Sequence, residues 1–533
     1  MKKRTAAFLS AAAFAAGSAV TIKLQQELKK DENKRKLYDT GNKTVFSVLR
    51  GISTVLPEPP MPHLIDFDSE GFMKGHETFI DKPRRGAKWS LGFACDSIIP
   101  DDISTGEYYL GGYLSMPPNR VEGVLDGLMF RCVALNDGSG RGTVVFGVLD
   151  AVGFSSGDVR EIRNRLKDFA EENNIVSINI SSTHCHSGID TQGLWGDLKE
   201  IIPNNFKAVK NNELEKIKTG KNPKHMELIF GIAVDSIKRA VNSMTPGTLY
   251  RATVEGRGYA RDKRPPNVVV DEITTFRFVP DDKDKRPTRL VMMAAHPTSF
   301  PDKNKMVSGD YPYHICNKLH KLGENAVFFQ GPQAAVASNK GAFKASDSNE
   351  DDPPYKKMGE GVAEYLYNLP EETYEKVKPI LNIRHKEVIL KATNHLYHVL
   401  GKLMIANNVM VKTSGKKDDI SVITEIGYAE IGENLKLALV PGELMPEILK
   451  GGFFKSSEAY NRVDWAMPSL TDIAGEGLVG IGLCNDSIGY IVPDNDFGSI
   501  FAPLHYEESV SVGENTASTI VTEFMKLVEE VKK

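Results

Sequence analysis

The chain has 533 residues, enough for one large domain or two to three ordinary ones. Its 41% hydrophobic and 26% charged content is that of a folded globular protein, and a net charge of −4 gives no electrostatic ground for nucleic-acid binding. Five widely spaced cysteines (Cys95, Cys132, Cys185, Cys316, Cys484) exclude a disulfide framework and a CxxC-type zinc knuckle.

At the N-terminus MKKR precedes an uncharged, alanine-dominated run from Thr5 to Ile22, after which charge begins at Lys23. A basic start and an apolar stretch of this length read as a signal anchor or signal peptide over 1–22. The expected product is exported, either membrane-anchored or secreted. Residues 23–64 are charged and then proline-rich (LPEPPMPHL) and read as a linker. The rest, 65–533, reads as one large catalytic domain.

Within it, TVVFGVLD (Thr143 to Asp150) is a buried strand run, and GDVREIRNRLKDFAEENN places Val159, Ile162, Leu166 and Phe169 on one helical face. IVSINISSTHCH is the next strand. Strand, helix, strand at this spacing is a βαβ unit with parallel strands, so Asp150 and His184 should meet at one sheet edge. RLVMMAAHP (Arg289 to Pro297), ending in His296, and AVFFQG (Ala326 to Gly331) flank a short helical segment. NLKLALVPGEL ends at Glu443, and GLVGIGLCNDSIGYI ends near Tyr490. The expected fold is α/β, a mixed β-sheet with βαβ units, in which four apolar strands each stop at a residue able to bind a metal.

Residues two apart on a strand share a side, so His184 and His186 can face one pocket while Cys185 turns into packing. Two imidazoles and a carboxylate (His184, His296, Glu443) suit a catalytic zinc with an open position for water. His186 would then be an acid/base or a substrate donor. The spacing alone leaves open that these are ordinary polar residues at strand ends.

THCHSG (Thr183 to Gly188) resembles the THTHSG segment of the neutral/alkaline, non-lysosomal ceramidase family. AAHPTSFPDKNKMVSGDYP, LALVPGE, and the stretch from Asn485 through GYI to HYEE resemble three further segments of that family, in the same order. The resemblance implies a zinc-dependent amidase with His184, His296, Glu443 and Tyr490 as zinc ligands. It implies that His186 and Tyr506 are pocket residues handling protons or the tetrahedral intermediate. It also implies an arginine at the substrate oxyanion, where Arg261 fits better than Arg264. The family serine falls on Ala337, with Ser338 next to it, and the loop's usual acidic or amide residues are replaced by Ala334 and Ala335. After Tyr506 a final amphipathic helix (Ala517 to Val531) is expected, and no C-terminal immunoglobulin-like domain. These readings make the chain a zinc hydrolase of an N-acyl amide in a ceramide-like lipid, with one zinc per chain and metal-activated water as nucleophile. The alternatives are a zinc hydrolase of another amide or ester, and a non-catalytic binding protein of the same fold.

Overall fold

The computed structural model describes residues 32–532, apart from 415, 417–418 and 452–454. The expected signal segment over 1–22 lies outside them. Inside the stretch expected as linker, Glu32–Val55 form helix α1. It is docked on the domain: Lys402 Nζ donates to the Ser53 carbonyl at 2.9 Å, Tyr460 OH donates to Asp39 at 2.8 Å, and Ile52 packs beside Val399 and Leu403. Lys34, Lys36, Lys43 and Arg50, whose charge suggested a linker, are its exposed face. No helix among the described residues is long and apolar enough to cross a membrane.

The mixed α/β architecture is present, with its strands divided between two sheets. The chain up to Ser338 supplies β1 (Trp89–Ser97), β2 (Met129–Asn136), β3 (Thr143–Leu149), β4 (Ile175–Ser182), β5 (Thr245–Glu255), β6 (Ala260–Asp262), β7 (Glu272–Pro280), β8 (Thr288–Met293), β9 (Asn325–Gln330) and β10 (Val336–Ser338). The larger sheet runs β9-β8-β7-β5-β1-β2-β3-β4, while β6 and β10 pair with each other. The second half supplies β11 (Leu381–Lys391), β12 (Ile420–Ile431), β13 (Leu435–Leu439), β14 (Glu443–Leu444), β15 (Leu478–Ile481) and β16 (Tyr490–Ile491). Here β11-β12-β13-β15 form the smaller sheet, and β14 pairs in parallel with β16.

The two sheets stack face to face, and alternation along each strand decides which layer a residue joins. On β2, Val133 and Leu135 face the other sheet, whereas Cys132 and Ala134 face helices α2 (Ser156–Arg165) and α3 (Pro223–Asn242). On β13, Leu437 and Leu439 face inward and Ala438 faces outward, toward the terminal helix α4 (Thr516–Val531). Strands buried on both faces read as unbroken apolar runs, which is why TVVFGVLD shows no alternation. The expected βαβ unit is there: β3 and β4 are parallel, with Leu149 opposite Ser182. Parallel pairing also joins β8 to β9 and β13 to β15. All five cysteines are free, and Cys185 is buried in the core.

Candidate active site

β4 ends at Ser182, so His184 and His186 lie beyond it, and strand alternation does not place them. His184 has φ +66°, a left-handed conformation uncommon outside glycine. Its amide donates to the Ala151 carbonyl at 2.9 Å, which holds the kinked segment against the end of β3. The kink brings the two imidazoles together, with ring centroids 4.7 Å apart and the Nε2 atoms 3.1 Å apart. Asp150 reaches the same edge as expected, but its carboxylate turns to Arg131 at 2.8 Å, away from the histidines.

His296 follows β8 and forms an isolated bridge with Ala337. Glu443 and Tyr490 are register partners in the β14–β16 pair, which lies beyond the ends of β13 and β15. Glu443 Oε2 lies 3.1 Å from His184 Nε2 and 3.0 Å from His296 Nε2, so segments that follow strands of the larger sheet meet the β14–β16 pair at one centre. Tyr490 OH is 3.3 Å from Tyr506 OH.

The donor set fits a metal ion. His184 Nδ1 bonds the Val152 carbonyl at 2.6 Å, and His296 Nδ1 bonds the Val336 carbonyl at 3.0 Å. A carbonyl only accepts, so each ring carries a proton on Nδ1, and in its neutral form each presents an Nε2 lone pair, the outer-sphere arrangement of metal-ligating histidine. Two lone pairs converging on one carboxylate oxygen repel unless a cation lies among them. The observed 3.0–3.1 Å separations approach the roughly 3.3 Å between donors of a tetrahedral site with 2.0–2.1 Å bonds. Donor nitrogens of His184, His186 and His296 all lie within 4.8 Å of one another.

Electrostatics agree with a shared positive charge. Burial opposes charging of His184, but the Glu443 carboxylate outweighs it and raises the pKa. Burial and then the charges of His184 and His296 push His186 well below the ordinary histidine value, so it is neutral. Glu443 is also buried, yet His184 and His296 together hold it below the usual carboxylate range.

Arg261 and Arg264 divide their roles. Arg264 is 2% exposed and bonds Asp496, Glu507, Glu508 and His505, which fixes the segment on either side of Tyr506. Arg261 is exposed on β6, opposite Ala337 of β10. His296, Ala337 and Arg261 therefore stand in a row across three strands, on one face. Ser338 alternates to the other face with Ala260. Tyr506 is 40% exposed.

Sequence reasoning missed Gly112 and Tyr113. The Tyr113 ring packs edge-on to His186 at 4.9 Å, and a Cβ at Gly112 would lie 2.6 Å from His186 Cγ, at a backbone φ of +115°. The glycine pair in LGGYL was the available signal. A cavity of about 400 Å³ opens between the sheets, lined by Thr253, Met292, Leu449 and Leu478, and none of these histidines borders it.

Glu447, four residues past Glu443, is buried with neither carboxylate oxygen partnered. Burial pushes its carboxyl up to about 8. The folded protein then keeps a proton that the unfolded chain sheds near its ordinary pKa of about 4.3, so stability falls as pH rises between these values. Glu447→Gln is expected to be more stable than wild type by roughly 2–4 kcal/mol at pH 8 and about equal to it below pH 4. Urea denaturation at both pH values checks this, and a pH-independent difference would contradict it.

A scan against protein-family models finds no match, and a search of curated proteins also finds none. Solved structures do match. The neutral ceramidase from Pseudomonas aeruginosa superposes with a TM-score of 0.60 at 16% identity, covering 83% of this chain and 74% of its own. A ceramidase complexed with C2 gives a TM-score of 0.62 at 15% identity, covering 84% of this chain and 75% of its own. The family resemblance read in the sequence thus has a counterpart in three dimensions: the chain carries the neutral ceramidase fold.

Proposed function

We propose that this protein is a zinc-dependent amidohydrolase cleaving the N-acyl amide bond of a ceramide-like lipid. The observation that carries this reading is the meeting of His184 and His296, which follow strands of the larger sheet, with Glu443 of the β14–β16 pair, where Tyr490 is its register partner. The same four residues are the ligand set implied by the family resemblance. Zinc held there supplies Lewis acidity and a water that ionises near neutral pH.

The chain's own groups do the rest. Neutral His186 accepts a proton from the attacking water and passes it to the departing amine. Tyr506 OH donates to the amide oxygen as negative charge grows there, and Arg261, in line with Ala337 and His296, supports the same oxygen. Ala337 offers no nucleophilic atom and Ser338 alternates to the other face, which favours direct attack by water over an acyl-enzyme. Export and a membrane anchor over 1–22 belong to the same reading, since a lipid amide is met at a membrane surface.

The zinc-loaded full chain is expected to release fatty acid from N-acyl sphingosine in mixed micelles. Chelation should stop the release, and added zinc should restore it. Fully metallated protein that releases nothing from lipid or soluble amides would sink the proposal. Tyr506→Phe is expected to lower kcat by roughly 10–100-fold with KM within about twofold. A change confined to KM would assign Tyr506 to binding alone.

A further inference from the structure

The segment that carries Arg264 also carries two cations of a different kind. Among the described residues no carboxylate pairs with Arg261, Lys263 or Lys340, whereas Arg264 is bonded to three. Arg261 and Lys263 share a face by alternation, because Arg261 lies opposite Ala337 and the Lys263 amide donates to Ala335 at 3.0 Å. That face carries His296 next to Ala337. Strands spaced about 4.8 Å apart put the Arg261 backbone roughly 10 Å from that of His296, within reach of a ligand held at the centre.

The acidic groups nearby are already engaged. Asp262 turns to the opposite face and accepts from the Arg264 and Val268 amides, both at 2.8 Å. Glu507 holds Arg264 at 3.1 Å, and Asp310 holds the Ser299 hydroxyl at 2.6 Å. Ala334, Ala335 and Ala337 add no charge. Lys263 is held below the ordinary lysine value by burial first and then by the charge of Arg261, with Lys340 adding to this and Glu507 opposing it. Its charge in turn acts on His186 and His296. Positive groups gathered without a directly paired carboxylate raise the local concentration of anions.

We propose that the preferred substrate carries an anion, a carboxylate or phosphate on its amine half, seated against Arg261, Lys263 and Lys340. The inference rests on the amidohydrolase reading and narrows its substrate from a neutral ceramide-like amide to an anionic one. An N-acyl amino acid and an N-acyl phosphoethanolamine are the two simplest forms of this chemistry.

The test compares N-lauroylglycine, N-lauroyl phosphoethanolamine and neutral N-lauroylethanolamine on the zinc-loaded full chain, wild type beside the Lys263→Gln/Lys340→Gln double variant. Both side chains are at least partly exposed, and equal metal content in the two proteins checks that the site is intact. Wild type is expected to favour an anionic amide over the neutral one by at least about tenfold in kcat/KM, an advantage that shrinks with salt. The double variant should lose most of that preference, mainly through KM. The arm with the larger preference identifies carboxylate or phosphate. Equal rates on all three amides, or a preference unchanged in the variant, would overturn the proposal and leave the amidohydrolase reading standing. If no amide is cleaved, calorimetric titration with N-lauroylglycine and N-lauroyl phosphoethanolamine decides. Salt-sensitive binding lost in the variant would keep the anion site while the hydrolase reading falls, and absence of such binding would remove both.

Discussion

Glu443→Ala is expected to lower amide hydrolysis by a factor on the order of 10³ or more while leaving the fold intact. Glu443 Oε2 faces both His184 Nε2 and His296 Nε2, and each imidazole is aimed by a carbonyl behind it. Removing the carboxylate takes away a donor and the negative charge that draws a cation between two neutral rings. Changes to outer-sphere partners alone cost 10–100-fold in metal affinity, and a lost ligand exceeds that. The backbone of β14 keeps its pairing with β16, so circular dichroism should be unchanged. Steady-state hydrolysis and metal content, measured on the same preparation, check the expectation. Activity within tenfold of wild type at full metal occupancy would remove Glu443 from the ligand set.

Arg264→Met should be the most destabilising single change outside the core, by roughly 3–5 kcal/mol. It strips the cation from a buried cluster of Asp496, Glu507, Glu508 and His505. Burial and the charge of Glu508 already push the Glu507 carboxyl above the usual carboxylate range. Glu508, despite its burial, is drawn down to about 2 by Arg264 and His505. A carboxylate with a lowered folded pKa contributes stability above its unfolded pKa and loses it as pH falls. The deficit of Arg264→Met should therefore be full at pH 7 and shrink toward pH 3. Arg264→Lys should recover only part of it, since an ammonium lacks the planar fork that spans Asp496 and Glu508. Denaturation midpoints at the two pH values decide. A pH-independent loss would attribute the effect to packing.

The sequence made the ends of the apolar runs readable because strands buried on both faces carry unbroken β-branched stretches. His184, His296 and Glu443 lie within four residues of the ends of such runs, whereas the run expected to end near Tyr490 stops at Ile481 and Tyr490 opens a short strand of its own. The division into two sheets was not readable. It depends on Leu437 and Val133 meeting across a core, and each run looks the same whichever sheet it joins. The clustering of His184 with His186 was anticipated for the wrong local reason, since a left-handed residue and not strand alternation turns the rings together. The structural role of Arg264 in GYARDKRPP was not readable because its partners lie more than 230 residues away. Helix α1 was read as linker because its charged residues dominate the sequence signal, and its partners near Lys402 are remote in sequence.

Zinc content per chain tests the central claim most directly. Wild type and His296→Ala would be incubated with zinc, dialysed and analysed by atomic emission. The account predicts about one zinc per chain in wild type and a small fraction of that in the variant. Wild type that retains no zinc, or a variant that retains as much as wild type, would contradict it.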